Sequence, residues 1–212
     1  MIKAVIFDMG GVVIPLDLQR CINNFKQLAG LNDIENYLNP YHQKGFIGDL
    51  EEGRINEEQF YEESLKHCAP GTTKETVAYC FYSLIDGVNP DALRLFKELK
   101  ENYKLYILSN NNPISMRAFV DMLGEAGMKM EDIFTDTYFS YQLKMLKPSD
   151  EFFLHAIKGT GLKPEEILFI DDSDKNTSAA SALGIRTLLY IPEEHNLYRK
   201  VTEFLANDRK NG

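Results

Sequence analysis

Residues 5–14 read VIFDMGGVVI and place one carboxylate, Asp8, between an apolar run and two glycines. The run before Asp8 is apolar at consecutive positions, which is typical of a strand buried on both faces of a parallel sheet. Two later stretches have the same form: LYIL at residues 105–108 before Ser109, and ILFI at residues 167–170 before Asp171 and Asp172. We therefore predict three buried parallel strands that each end in a small polar side chain.

Helical patterns separate the later strands. Asn89 and Pro90 predict a helix start, because an amide caps the first turn and proline suits the first helical position. Ser149 predicts a second helix start, and residues 175–183 predict a helix that stops before a strand at 186–190. This alternation of strands and helices predicts a doubly wound α/β fold with a parallel, Rossmann-like sheet.

Residues 16–87 have a different pattern, with several helix signals and no convincing strand. The signals are an apolar stripe at Leu18, Ile22, Phe25 and Leu28, and capping boxes at Asn56-x-x-Gln59 and Thr72-x-x-Glu75. The segment holds twelve acidic and six basic residues, so it carries −6 of the formal net charge of −9. We predict a small α-helical cap domain at 16–87, inserted into a core domain of 1–15 and 88–212. A helical layer that only stabilises the core is the alternative.

The bulk composition excludes several classes of partner. The net charge of −9 and the absence of a basic run argue against a nucleic acid or an anionic membrane. The apolar runs are far shorter than the ~18 residues needed to span a bilayer. Cys21, Cys68 and Cys80 lack CxxC spacing, which predicts reduced thiols. Met1 leads straight into a strand-like run, so we expect no signal peptide and predict a cytoplasmic protein.

The ends of the predicted strands carry the residues from which chemistry is expected. Ligands of open parallel sheets bind beyond the carboxyl ends of the strands, where Asp8, Ser109 and the pair Asp171-Asp172 would converge. Lys147, before a proline and a helix start, would add a positive charge. Together these groups suit phosphoryl transfer, in which Asp8 would attack phosphorus and form an aspartyl-phosphate. Asp8 and Asp172 would hold Mg²⁺. Ser109 and Lys147 would hold the phosphate oxygens. Taken singly, each residue is also compatible with a turn, a loop or solvent exposure.

Four motifs in this order resemble those of the haloacid dehalogenase superfamily, and the resemblance spans nearly the whole chain. They are FDMGGVV around Asp8, LSN at Ser109, Lys147-Pro148, and FIDDSDKN at Asp171-Asp172. The resemblance implies that Asp8 is the nucleophile and a Mg²⁺ ligand, and that Asp172 binds the metal with Asp171 assisting. It also implies that the helical insertion is a cap that closes over small substrates.

The resemblance extends to three further residues. It implies that the Asn110 backbone joins Ser109 and Lys147 in binding phosphate, that Asn176 orients the acidic pair, and that Gly10 gives its backbone carbonyl to the metal. Gly10 is also the position where this chain departs from the family pattern, because most phosphatases of the family have a general acid/base Asp there. General acid catalysis raises reaction rates by about 10²–10⁴-fold. With glycine at this position, the enzyme is therefore expected to cleave esters with good leaving groups and to act slowly on those with poor ones. Some members with a DxG first motif resemble sugar-1-phosphate phosphatases, so the resemblance makes this substrate class an expectation here.

We therefore predict a Mg²⁺-dependent phosphatase that cleaves a small phosphorylated metabolite, such as a sugar phosphate, through an aspartyl-phosphate. A metal-independent 2-haloacid dehalogenase is one alternative, since halide leaves without a proton, but it leaves the acidic pair unexplained. A non-catalytic phosphometabolite-binding protein on a decayed phosphatase frame is the other. Four cap residues could meet substrate, with packing or solvation as the favoured interpretation: Tyr41, His42, Phe46 and Arg54.

Overall fold

The centre of the molecule is one parallel sheet of five strands. The computed structural model describes residues 1–39 and 43–211. The strands are β1 (Ala4–Phe7), β2 (Lys104–Ser109), β3 (Asp136–Phe139), β4 (Ile167–Asp171) and β5 (Arg186–Leu189). Their order is β3-β2-β1-β4-β5. Phe7 at the end of β1 lies beside Ile107 of β2 and Ile170 of β4. Asp8 therefore follows the central strand, between the ends of its two neighbours.

The segment 16–87 is helical and leaves the sheet directly after β1. Its α-helices are α1 (Leu18–Leu28), α2 (Gly45–Glu51), α3 (Glu57–His67) and α4 (Lys74–Tyr82). Buried aromatic rings from these helices, among them Phe25, Phe60 and Phe81, share one apolar cluster. The entering and leaving chains lie side by side, since the Asp17 N–H donates to the Leu84 carbonyl at 2.8 Å. The insertion thus has an apolar cluster to which the core adds Ile114, and its two connecting segments are hydrogen-bonded to each other.

The remaining helices cover both faces of the sheet. They are α5 (Pro90–Leu99), α6 (Pro113–Glu125), α7 (Met130–Ile133), α8 (Ser140–Leu143), α9 (Asp150–Thr160), α10 (Asp174–Ala182) and α11 (Leu197–Asn211). Val5 and Phe7 share a cluster with α5, α6 and α11, whereas Ala4 and Ile6 share one with α9 and α10. The prediction of a doubly wound α/β fold with a helical insertion is therefore confirmed.

Local details of the helices differ from the sequence predictions in two places. Thr72 does not cap α4, because Thr73 occupies that position one residue later. Leu28 is 51% exposed and does not belong to the buried stripe of α1. The capping box of Asn56 and Gln59 at the start of α3 is confirmed. Among the described residues, no helix is both long and apolar enough to cross a membrane.

Candidate functional site

The acidic residues at the strand ends come together in the structure. Asp8 follows β1, and Asp171 is the last residue of the neighbouring strand β4. One carboxylate oxygen from each of Asp8, Asp171 and Asp172 lies within 4.8 Å of the others. Ser109, the last residue of β2, is buried on the other side of Asp8. Residues more than 160 positions apart in the chain thus share one small volume, because parallel strands end at the same edge of the sheet.

Lys147 lies between two of these carboxylates. Its Nζ atom is 2.8 Å from Asp8 Oδ1 and 2.7 Å from Asp171 Oδ2, and its side chain is 1% exposed. Burial alone lowers the pKa of Lys147, but the charges of Asp171 and Asp8 outweigh this effect and raise it. Lys147 therefore stays cationic and places its positive charge beside Asp8.

The side chain of Asn110 holds the backbone of Lys147 in place. Asn110 Nδ2 donates to the Lys147 carbonyl at 3.0 Å, and Asn110 Oδ1 accepts from the Lys147 N–H at 2.8 Å. These two hydrogen bonds connect the loop after β2 to the segment before α9. The family resemblance predicts a phosphate-binding role only for the Asn110 backbone, and that role stays a prediction. The contact with Lys147 was not foreseen.

The two adjacent acids after β4 have different surroundings. Asp171 Oδ1 accepts from the Ser173 N–H at 2.8 Å and from Asn176 Nδ2 at 3.0 Å, while Oδ2 accepts from Lys147. Asp171 is fully buried, whereas Asp172 is exposed and lines a cavity. Because protein donors occupy both oxygens of Asp171, Asp172 is the member of the pair that faces a ligand.

The second glycine of the Gly10-Gly11 pair makes room for Asp172. Gly11 has a φ of +76°, and a Cβ atom there would lie 2.0 Å from Asp172 Oδ2. A Cβ atom on Gly10 would meet only Leu16 Cδ1, at 3.2 Å. Gly11 is thus the glycine that the packing requires, both for its conformation and for its size. The double glycine was the available signal in the sequence, but the sequence-based prediction gave a role to Gly10 only.

The cluster carries excess negative charge. In the described part of the chain, ion pairs join two of the three carboxylates, those of Asp8 and Asp171, to the ammonium of Lys147, and none is formed by Asp172. Burial raises the pKa of Asp8 to about 8 despite the opposing charge of Lys147. Burial and the charge of Asp171 raise the pKa of Asp172 to about 6. Such carboxyls favour a cation, which replaces their protons. A few clustered carboxylate oxygens that face an open cavity fit Mg²⁺, which binds one or two carboxylates together with phosphate oxygens and water.

The loop after β2 contains two further asparagines that the sequence analysis did not single out. The Asn111 N–H donates to Ser140 Oγ at 2.9 Å and so ties this loop to the start of α8. Asn112 Oδ1 accepts from the backbone N–H groups of Ile114 and Ser115 at 3.1 and 3.0 Å and caps α6. The signal for this cap was Asn112 before a proline, the same pattern that predicts the start of α5.

A cavity of about 370 Å³ lies above the strand ends, between the sheet and the insertion. Its lining includes Asp8, Gly10, Ser109, Lys147 and Asp172 from the core, and Gln43, Gly48, Glu51 and Glu52 from the insertion. Pockets of about 300–1,000 Å³ are typical of small-molecule sites, and this one is near the lower limit. The volume suits a small metabolite.

The cap residues named from the sequence do not account for the cap side of the cavity. Tyr41 and His42 lie outside the described residues. Phe46 is buried against the ring of Tyr37, with ring centroids 4.6 Å apart. Arg54 Nη2 is 2.5 Å from Asp49 Oδ1. Packing and ion pairing therefore describe Phe46 and Arg54, whereas Glu51, which the sequence analysis did not name, lines the cavity.

The fold and the site define an α/β protein with a carboxylate and lysine cluster at the strand ends, beneath a helical insertion. A family model for haloacid dehalogenase-like hydrolases matches residues 2–184 of the chain. The chain belongs to this family of hydrolases, and the resemblance drawn from its four motifs is confirmed.

Individual relatives match nearly the whole chain. The D-ribitol-5-phosphate phosphatase of Bacteroides thetaiotaomicron is 32% identical over 208 residues, which are 98% of this chain and 100% of the relative. The structure of a predicted HAD-like family hydrolase from Porphyromonas gingivalis is 33% identical, with a TM-score of 0.87 and coverage of 97% and 98% of the two chains. A HAD family enzyme of B. thetaiotaomicron, solved with magnesium and inorganic phosphate, is 33% identical with a TM-score of 0.84, covering 92% and 97%.

Proposed function

We propose that the protein is a Mg²⁺-dependent phosphatase that hydrolyses a small phosphorylated metabolite, with phosphates of sugars and sugar alcohols as the substrate class. The observation that carries this proposal is the cluster of Asp8, Asp171 and Asp172 around Lys147, beneath a cavity of metabolite size. Two relatives support it, one a D-ribitol-5-phosphate phosphatase and the other an enzyme solved with magnesium and inorganic phosphate.

Asp8 is the nucleophile in this proposal. Its carboxylate oxygen forms a bond to phosphorus, the bond between phosphorus and the substrate oxygen breaks, and an aspartyl-phosphate results. Ser109, the Asn110 backbone and Lys147 hold the phosphate oxygens as negative charge develops on them. Water then attacks the phosphorus, which releases inorganic phosphate and restores the Asp8 carboxylate.

The same residues provide a place for the metal. Asp8, Asp172 and the Gly10 backbone carbonyl would hold Mg²⁺, with Asp171 assisting. When bound, the ion supplies positive charge that offsets the carboxylates and the phosphate. Residues 16–87 act as the cap domain in this proposal, and residues 1–15 and 88–212 act as the core domain that carries the nucleophile.

Metal-independent dehalogenation fits the charges of the site less well. A nucleophilic Asp8 must be ionised, yet burial raises its pKa to about 8, and the opposing charge of Lys147 does not cancel this rise, to which the charges of Asp171 and Asp172 add. Without a metal ion, the charges of the acidic pair oppose an ionised Asp8, whereas a metal ion would offset these charges and favour the ionised nucleophile. The charge pattern therefore favours the metal-dependent phosphatase.

A substrate panel tests the proposal. Phosphate release is measured from sugar phosphates, sugar-alcohol phosphates and p-nitrophenyl phosphate, each with Mg²⁺ and with EDTA. We expect release that EDTA abolishes and added Mg²⁺ restores. The control is a set of 2-haloacids, from which no halide should be released. Halide release that persists in EDTA would contradict the proposal, as would tight binding of phosphometabolites without any turnover.

A further inference from the structure

Gly10 leaves the proposed reaction without an obvious proton donor on the sheet side of the cavity. An ordinary phosphate monoester releases an alkoxide, which is a poor leaving group unless it gains a proton as it departs. Asp171 is fully occupied by protein donors, and Asp8 and Asp172 serve the nucleophilic and metal roles proposed above. Among the described lining residues, the remaining carboxyl groups therefore belong to the cap side of the cavity.

Two acids of the cap line the cavity, and they differ in their partners. Glu52 Oε2 forms an ion pair with Arg54. Among residues 1–39 and 43–211, the carboxyl group of Glu51 makes no hydrogen bond or ion pair. It also lies outside the group of carboxylates that could hold a metal ion together. Glu51 is therefore the cap acid whose carboxyl group remains available to a substrate.

The backbone of Glu51 is anchored, through Ser140, to the loop that follows Ser109. Ser140 Oγ donates to the Glu51 carbonyl at 2.6 Å and accepts from the Asn111 N–H at 2.9 Å. Just beyond α2, a Cβ atom on Gly53 would lie 2.2 Å from the Tyr141 carbonyl, so the chain packs closely on α8 there. These contacts hold the end of α2 at a fixed place above the strand ends.

We infer that Glu51 is the general acid and base of this enzyme and does from the cap what a side chain at position 10 cannot do. The inference rests on the proposed phosphatase function. As Asp8 bonds to phosphorus, the electron pair of the breaking bond moves to the substrate oxygen, which takes the proton of Glu51 and leaves as an alcohol. The Glu51 carboxylate then accepts a proton from the water that attacks the aspartyl-phosphate. The cycle thereby restores both side chains.

The protonation of Glu51 agrees with this role. Burial raises the pKa of Glu51 to about 8, and the charge of Asp8 adds to the rise. The carboxyl group therefore keeps its proton at neutral pH, as an acid must before the first step.

The variant Glu51→Gln tests the inference, because loss of a general acid slows the release of a poor leaving group more than that of a good one. Single-turnover release of the leaving group is measured, with enzyme in excess and Mg²⁺ present, for the best alkyl phosphate of the panel and for p-nitrophenyl phosphate. Nitrophenolate leaves without a proton, whereas an alkoxide needs one. We expect the rate with the alkyl phosphate to fall about 10²-fold or more. The fold-loss of rate with the aryl phosphate should be at least ten times smaller than the fold-loss with the alkyl phosphate.

Glu52→Gln is the matched control, since it removes the neighbouring charge on the same lining and should change the ratio of the two rates less than about twofold. Equal losses of Glu51→Gln on both substrates, or no loss on either, would overturn the inference while wild-type turnover upholds the phosphatase. Absence of wild-type release from every phosphate would instead reject the phosphatase and the inference together. The melting temperature of Glu51→Gln, which replaces a carboxyl without hydrogen-bond partners, should match that of the wild type.

Discussion

The sheet and the cap both present carboxyl groups to the same cavity, but they hold them in different ways. On the sheet side, Asp8 and Asp171 are bonded through their side chains to the buried ammonium of Lys147. On the cap side, Glu51 is held through its backbone by Ser140, and its carboxyl group is left to the cavity. The sheet side is an ion cluster that is part of the fold, whereas the cap side is a side chain that the fold only positions.

Substitutions on the two sides should therefore have different effects, on the stability of the fold for the sheet side and on the reaction rate for the cap side. Removing one member of the sheet-side cluster leaves a buried charge without its partner, which is costly to the fold. Changing the cap acid leaves every other hydrogen bond of the site in place, so the effect should appear in rate alone.

The largest effect on stability is expected from Lys147→Met. The substitution leaves the carboxylates of Asp8 and Asp171 buried without their ammonium partner. The free energy of unfolding in urea should fall by about 3–5 kcal/mol. Lys144→Met is the control, because Lys144 is the nearby exposed lysine and its loss should change stability by less than about 0.5 kcal/mol. Equal effects of the two substitutions would show that the cluster does not stabilise the fold.

A smaller effect is expected from Mg²⁺, and it should depend on pH. Burial raises the pKa of Asp172 to about 6 and that of Asp8 to about 8, above the 3.8 of an ordinary Asp. The folded, metal-free protein thus binds more protons than the unfolded chain over this range, so its stability falls as the pH rises from about 4 toward 8. Mg²⁺ binds the ionised carboxylates and should restore that stability.

Thermal unfolding with and without Mg²⁺ at pH 5 and at pH 8 measures this dependence. At 100 times its dissociation constant the ion should add about 2.7 kcal/mol at pH 8, and far less at pH 5. Asp172→Asn should lose most of the response at pH 8. A stabilisation by Mg²⁺ that is the same at both pH values would contradict the metal site at these carboxylates.

The two neighbouring glycines should respond unequally to the same substitution. Gly11→Ala forces a φ of +76° on a residue with a side chain and places its Cβ atom against Asp172. It should therefore lower the free energy of unfolding by about 1–3 kcal/mol. It should also raise the Mg²⁺ concentration needed for half-maximal activity. Gly10→Ala meets only the flexible side chain of Leu16 and should cost less than about 1 kcal/mol. A larger destabilisation by Gly10→Ala than by Gly11→Ala would show that the close packing of Asp172 on Gly11 is not required.

The smallest effect is expected from the exposed ion pair between the cap and the core. Arg117 on α6 binds Glu57 on α3 through two hydrogen bonds of 2.5 and 2.6 Å, and the Arg117 side chain is 50% exposed. Glu57→Gln should reduce the free energy of unfolding by about 0.2–1 kcal/mol, and less in high salt. A loss as large as that of Lys147→Met would mean that a surface pair holds the cap to the core, against the contrast drawn above.

The sheet side of the site was predictable because its signals are local. A continuous apolar run followed by Asp8 or by Asp171 indicates both a buried strand and its functional end. Strand β3 was missed, since its four residues DTYF begin with two polar positions and lie at the edge of the sheet. Its location depends on pairing with β2, which no local pattern shows.

The cap side was not predictable in the same way. Glu51 precedes Glu52 and a glycine, a pattern that usually indicates the solvated end of a helix. Its position in the cavity depends on where α2 docks, through the hydrogen bond between Ser140 and the Glu51 carbonyl. Residues nearly 90 positions apart decide that contact, so the sequence around Glu51 contains no sign of it.

Transfer of phosphate to Asp8 is the most direct test of the central claim. Wild-type enzyme is mixed with substrate and Mg²⁺, quenched in acid, digested and analysed by mass spectrometry. The account predicts a phosphoryl group on the peptide that contains Asp8. It also predicts that Asp8→Asn lacks this group and releases phosphate at less than about 10⁻³ of the wild-type rate. Turnover by Asp8→Asn at the wild-type rate, with no phosphoryl group on Asp8 in either protein, would contradict the account.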